Sequence, residues 1–415
     1  MSSLNLLPDI KNFAFWSPTE AQTPRHSREE PGILSAQCID KPYCFGKWTG
    51  RAAVKSGTTF AATVECRIDA SRITGHEKNL VYAMINWQSK EGRYIRREYL
   101  EATPQSTDDS QWIKLICIAQ APEGAVIAEL ELTLNTPGAV KWRNPSLTET
   151  TPIPPRPVKI ASAFFEPRRD LGRNLETMLK LADQAGQMQA DVLLFTESAY
   201  DRGVTPIQAK PVPVPSASPD DVLGQFAAKA KAYNYNILVN IVECENGFFF
   251  NSTVLLDRNG QYIGKYRKSH LPTVEKEAGF SAGNELPVFE MDFATIGVMT
   301  CFDLVYMDAG RTLSNKGAEM IFVPTIGNFM LQSQMLAKET GRYVVVSGGD
   351  IPHPSRIINP DGAIIASVDG TADGIAYAEI DLSKGFDAIG TGFYPATSSA
   401  RCAIFNQRRQ ELYLF

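Results

Sequence analysis

Over the first 150 residues, apolar and polar positions alternate in short runs that predict strands. Residues 60–68, 80–87, 111–118 and 125–134 are rich in β-branched and aromatic side chains. Turn clusters such as Ser89-Lys-Glu-Gly92 and Ala121-Pro-Glu-Gly124 separate them. Strands at this spacing predict an all-β sandwich or jelly roll. From residue 158 the period changes. Strand-like runs at 158–165, 191–195, 237–242, 249–256, 262–267, 320–324 and 343–347 alternate with helical spacing at 170–189, 220–233, 308–317 and 331–341. In the first of these helices Leu171, Leu175, Met178, Leu179 and Leu181 make the apolar face. Asp257-Arg-Asn-Gly260 reads as a hairpin turn, and a final hairpin is expected about Asn359-Pro-Asp-Gly362. This alternation predicts an α/β layered sandwich with mixed sheets inside and helices outside.

The tryptophans mark the boundary between the two patterns. All five (16, 48, 87, 112, 142) lie in the first 142 residues. The Pro-rich stretch Thr151-Pro-Ile-Pro-Pro-Arg-Pro157 follows, as an extended linker would. Two domains are therefore expected, 1–153 and 154–415, and 415 residues is ample for both. Trp87 and Trp112 are read first as sandwich core. Packing against the second domain or a subunit is the next reading of the tryptophans, and sugar stacking comes last.

Composition narrows the function. A net charge of −5 with no basic run among aromatics argues against nucleic acid. No apolar stretch is long enough for a membrane span, and the N-terminus lacks the basic start and apolar core of a secretion signal. A cytoplasmic location is expected. The seven cysteines (38, 44, 66, 117, 244, 301, 402) show no zinc-ligand spacing, and the four histidines make no cluster. Neither a metal nor another cofactor is expected. Six of the cysteines read as buried free thiols.

Cys301 departs from that reading. It ends the apolar, β-branched run that begins at Ala294, and it is followed by Phe302 and Asp303. Such a strand delivers a thiol to its carboxyl end, where open α/β sheets bind ligands. A thiol becomes a nucleophile when a base takes its proton and positive charge stabilises the thiolate. Glu197 and Lys268 also stand at the ends of strand-like runs, so three distant positions have a way to converge.

The segments Phe195-Thr-Glu197-Ser, Tyr266-Arg-Lys268-Ser-His-Leu and Met299-Thr-Cys301-Phe-Asp303 resemble, in order, the three motifs of the nitrilase or carbon–nitrogen hydrolase superfamily. The resemblance covers about residues 156–415 and implies a four-layer αββα sandwich. It implies Cys301 as nucleophile, Glu197 as the base, and Lys268 with the Phe302 backbone N–H as oxyanion donors. His270 is implied as a structural hydrogen-bonding residue. A second family glutamate that orients the lysine falls on Glu275 or Glu277, with the distance to Gly283-Asn284 favouring Glu275. The loop Pro324-Thr-Ile-Gly-Asn328 resembles one that lines the acyl pocket, which nominates Thr325 and Asn328 for substrate binding. Asp303, Asp308, Arg311, Glu339, the 355–362 hairpin and the tail 409–413 extend the likeness. Leu336 and Thr340 depart from it, standing where Arg and Asn are usual.

What the resemblance implies is hydrolysis of a non-peptide amide or N-carbamoyl bond through a Cys301 thioester. The Cys-Phe-Asp motif is more amidase-like than the Cys-Trp-Glu of true nitrilases. The expected partners are a small amide or carbamoyl substrate and further copies of the chain in a homo-oligomer. Amine N-acyltransfer through the same thioester is the enzymatic alternative. A rival of another class is a glycan- or protein-binding protein with an idle α/β domain. The first segment also looks, in a general way, like carbohydrate-binding sandwich modules.

Overall fold

The computed structural model describes residues 4–38, 41–69, 81–102, 112–135, 138–203, 211–350 and 353–386. The chain divides between Pro154 and Pro155, with a second compact unit running from Pro155 to Ser383. The tail motif at 409–413 and Cys402 lie outside the described residues, as does part of the Pro-rich loop after residue 203.

In the first unit the alternating runs pair into two antiparallel sheets. One has five strands in the order Ala14–Trp16, Gly46–Ala53, Ile127–Leu134, Val81–Gln88 and Tyr94–Tyr99. The other has six, in the order Arg25–Glu29, Ile33–Cys38, Gly138–Glu149, Thr59–Asp69, Ile113–Gln120 and Glu101–Ala102. Every second residue of these strands enters one shared core, in which Trp48, Trp87, Trp142 and Phe60 are fully buried. Trp112 is also buried, with the Arg143 guanidinium 4.2 Å from its ring centroid. Trp16 differs, being half exposed.

One expectation about the cysteines needs correction. Cys38 and Cys44 are not free thiols but a disulfide. Cys38 ends a strand of one sheet and Cys44 precedes the Gly46–Ala53 strand of the other, and their Cα atoms lie 5.7 Å apart, within bridging range. Cys66 is a buried thiol, and burial pushes its pKa up to about 12.

The second unit holds two six-stranded sheets. The first runs Tyr262–Arg267, Phe248–Leu256, Asn236–Glu245, Val192–Leu194, Pro157–Phe164, Gly374–Asp381, with the strands from Pro157, Val192 and Asn236 mutually parallel. The second runs Val288–Glu290, Thr295–Val298, Met320–Thr325, Tyr343–Gly348, Arg356–Ile358, Ile364–Ser367, with those from Thr295, Met320 and Tyr343 parallel. Helices Leu171–Gln187 and Val222–Tyr233 cover the first sheet through Met178, Leu181 and Phe226. Asp170 and Asp221 cap their N-termini, accepting from Arg173 N and Gly224 N. Helices Met307–Asn315 and Met330–Thr340 cover the second sheet through Leu313, Leu336 and Ala337.

Hydroxyls join the two sheets. Ser162 Oγ donates to Val346 O at 2.8 Å, Ser355 Oγ to Ala163 O at 2.6 Å, and Thr196 Oγ1 to Thr325 O at 2.8 Å. These short side chains satisfy backbone carbonyls that burial would otherwise orphan. The seam also aligns the carboxyl ends of the Val192, Thr295 and Met320 strands; Glu197 and Cys301 stand just beyond the first two, and Thr325 is the last residue of the third. Among the described residues no helix is long and apolar enough to cross a membrane.

Candidate active site

Backbone geometry sets the thiol. Thr300 ends the extended chain, and Cys301 opens a short 3-10 turn, Cys301–Val305, with φ +48°. A non-glycine residue in this left-handed region costs about 1–3 kcal/mol and persists only where its surroundings hold it. Asp303 supplies that hold. Its buried carboxylate accepts from Thr300 N at 2.7 Å and from Tyr266 Oη at 2.6 Å on one oxygen. The other oxygen accepts from His270 N at 2.9 Å and meets His270 Nδ1 at 2.8 Å. One carboxylate thus ties the Cys301 turn to the end of the Tyr262–Arg267 strand, which delivers Lys268.

Lys268 is fully buried and lies between two carboxylates. Its Nζ is 2.7 Å from Glu197 Oε1 and 2.6 Å from Glu275 Oε1. Glu275 sits on the short helix Thr273–Glu277, while Glu277 is exposed to solvent. Burial alone would lower the lysine's pKa, but the charges of Glu197 and Glu275 push it upward, so the ammonium is kept. Glu275 moves the other way for a carboxylate: burial and the Glu197 charge raise it against the pull of Lys268.

Burial pushes the Cys301 thiol up to about 12, and the Glu197 charge adds to it, while Lys268 and Thr325 pull it down. The resting sulfur is therefore a protonated thiol. The two oxygens of Glu197 differ. Oε1 takes both Lys268 Nζ and Asn251 Nδ2, the latter at 2.8 Å, whereas among the described residues the buried Oε2 takes neither, and the carboxylate also interacts with the Cys301 thiol. An acceptor held this way is suited to receive a proton.

Three supporting residues escaped the sequence reading. Asn251, on the Phe248–Leu256 strand, holds Glu197; Asn240 Nδ2 donates in turn to Asn251 Oδ1 at 2.8 Å. Asn240 Oδ1 also accepts from Ser198 N at 2.7 Å, fixing the left-handed residue next to Glu197. Asp201 is buried, accepts from Val242 N at 2.6 Å, and is pushed up to about 6 by burial, with the Glu197 charge adding. The available signal was the polar run Asn251-Ser252-Thr253 and the single Asn240 inside strands otherwise read as core; Asp201, in the turn after Glu197, had none. Thr325 reaches the thiol and also accepts from Gly327 N at 3.1 Å. Asn328 is exposed, its Oδ1 3.4 Å from Met330 N, and no hydrogen bond among the described residues links it to Glu197, Lys268 or Cys301.

The sequence profile of carbon–nitrogen hydrolases matches residues 159–385, more than half the chain. The protein belongs to the carbon–nitrogen hydrolase family. A Pseudomonas protegens protein named "Hydrolase in pqqF 5'region" is 31% identical over 273 residues, covering 63% of this chain and 88% of that one. The N-carbamoylputrescine amidase of Arabidopsis thaliana is 25% identical over 293 residues, covering 62% and 94%. Among solved structures, the carbon–nitrogen hydrolase of Helicobacter pylori G27 aligns with a TM-score of 0.51 at 18% identity, covering 62% of this chain and 97% of that one. That likeness gives this carbon–nitrogen hydrolase a nitrilase-type fold.

The two departures from the family pattern have a packing basis. Leu336 is fully buried against Gly310, where an added Cβ would lie 2.1 Å from Leu336 Cδ1. The helices are too close there for an arginine. Thr340 Oγ1 instead donates to Leu336 O at 2.6 Å. Arg311 also links the same two helices by pairing with Glu339, while it meets Asp308 of its own helix at 2.9 Å.

Proposed function

We propose that this carbon–nitrogen hydrolase cleaves a non-peptide amide or N-carbamoyl bond through a thioester on Cys301. The observation that carries the reading is the buried Lys268 ammonium held between Glu197 and Glu275 beside a thiol in a left-handed turn. As the sulfur attacks the carbonyl carbon, its proton passes to Glu197 Oε2 and the S–C bond forms. The carbonyl oxygen becomes an oxyanion facing Lys268 Nζ and the Phe302 N–H. Glu197 returns the proton to the leaving nitrogen, the C–N bond breaks, and ammonia or an amine departs. Water, deprotonated by Glu197, then opens the thioester and restores the thiol. Glu275 orients Lys268, and Thr325 lines the acyl side of the pocket.

Carbamoyl and simple amide substrates are favoured by the relative named as an N-carbamoylputrescine amidase. The test is a panel of N-carbamoyl amines and small primary amides, followed by ammonia release and intact mass of the Glu197→Gln protein. Ammonia from wild type and an acyl adduct confined to Cys301 are expected. Absence of both across the panel sinks the reading; an amide product formed from added amine would redirect it to acyl transfer.

We infer three further points on the same footing. The helices covering both sheets of the second unit favour the αββα layering, and the division at Pro154 favours a β-sandwich domain at 1–153 before a catalytic domain. Exposed Val305, Tyr306, Met330, Leu331 and Met335 favour a homo-oligomer that would cover them.

A further inference from the structure

The five-stranded sheet of the first unit carries a cleft of about 990 Å³. Strand register assigns its floor. Arg51, Glu129, Asn86 and Arg97 lie side by side across four strands, and Glu131 and Met84 stand in the next row. Their alternates along the same strands, Trp48, Leu130, Ile85 and Trp87, point into the core. The floor is therefore the sheet face opposite the core, yet it is not a solvated one. Asn86 is 0%, Glu129 2% and Glu131 2% exposed.

Three observations define what fits there. First, the floor carboxylates are already neutralised: Glu131 pairs with Lys47, and Glu129 with Arg51, while Gln88 Nε2 also donates to Glu129 at 3.1 Å. A charged ligand would have to break these pairs; a neutral one meets donors and acceptors already in place. Second, neutral polar side chains line the cleft beside these pairs, among them Asn12, Thr49, Tyr43 and Asn135. Amides and hydroxyls of this kind offer both donors and acceptors to an uncharged ligand. Third, aromatic rings border the cleft. Trp16 is 49% exposed with the Lys47 ammonium 5.2 Å from its centroid, and Tyr94 is 40% exposed with the Arg97 guanidinium at 4.5 Å.

We propose that this cleft binds a neutral carbohydrate chain, in a site separate from the Cys301 chemistry. Sugar rings present an apolar C–H face and a rim of hydroxyls. The Trp16 and Tyr94 rings take the former, and the polar side chains of Asn12, Thr49 and Asn135 take the hydroxyls, each donor meeting an acceptor. The volume is at the upper end of small-ligand sites and accommodates an oligosaccharide. The other four tryptophans are buried, which leaves Trp16 as the one indole offered to a ligand.

The full chain is tested by isothermal titration against soluble neutral oligosaccharides from β-glucan, xylan, mannan and chitin, after a glycan-array screen. Binding to at least one class is expected, with affinity unchanged by salt between about 50 and 500 mM, a range over which exposed charge interactions are screened. Trp16→Ala and Tyr94→Ala, both at exposed positions, should each weaken binding roughly 10-fold or more, as loss of a stacked ring does. Cys301→Ala should bind as wild type. Failure to bind any neutral glycan, binding indifferent to both ring removals, or capture only of charged glycans or peptides with steep salt dependence would each overturn the proposal. None of these results bears on amide hydrolysis.

Discussion

Asn251 Nδ2 and Lys268 Nζ converge on the same oxygen of Glu197, at 2.8 and 2.7 Å. The asparagine thereby decides which carboxylate oxygen is left to face the thiol. Asn251→Ala is expected to lower kcat roughly 10-fold to 100-fold with KM little changed, the value of one hydrogen bond to a charged group. A change in KM alone would show that Asn251 contacts substrate instead of positioning the base.

The thiol's state gives a second prediction. With Cys301 pushed up to about 12, alkylation by iodoacetamide should accelerate through pH 10 without a plateau. Glu197→Gln removes a charge that raises the thiol's pKa, so its alkylation at pH 9 should be faster than wild type. Its turnover should nevertheless fall by about 10²–10⁴, the contribution of a general base. Slower alkylation in Glu197→Gln would mean that the carboxylate activates the resting sulfur directly.

Asp201 makes stability depend on pH. Its folded pKa, about 6, lies above the ordinary 3.8, so the folded state holds its proton more tightly than the unfolded chain does. The stabilisation is full below the unfolded value and is lost as pH rises through about 6, a loss of roughly 3 kcal/mol for a shift near two units. Denaturant melts of wild type and Asp201→Asn at pH 4, 5, 6 and 7 should show this slope in wild type only. Parallel profiles would refute it.

Leu336 provides a packing prediction. Restoring the family's arginine by Leu336→Arg places a guanidinium where Leu336 meets Gly310. The variant should lose about 3 kcal/mol or more, the cost of an uncompensated buried charge. A melting temperature within error of wild type would show that the helices part easily.

The convergence of Glu197, Lys268 and Cys301 was legible because each stands at the end of a strand-like run, and a strand end is a local pattern that chain order preserves. The four longer helices were legible from their helical spacing, with boundaries shifted by a residue or two, while the short helix Thr273–Glu277 was not named. Several strands, among them Gly46–Ala53, Gly138–Glu149 and Gly374–Asp381, were not named in advance. Gly46 and Gly50 explain the first: glycine weakens strand propensity, and here the Phe15 and Phe13 rings occupy the space a side chain would need. Asn251 and Asn240 were hidden for another reason. A buried asparagine in a strand looks like a turn residue until its partner arrives from elsewhere in the chain. The same holds for the Cys38–Cys44 bridge, since spacing alone does not state how a chain reverses. Asn328, nominated from a motif position, accepts from Met330 N at the start of a helix.

The Asp303 carboxylate has a dynamic consequence. Because it holds Thr300, Tyr266 and His270 at once, the lysine-bearing strand end and the nucleophile's turn have no independent way to loosen. They form one opening unit, whose backbone amides exchange with solvent together or not at all. The site is therefore either assembled or absent, with no half-built state in which a buried lysine waits beside a displaced sulfur.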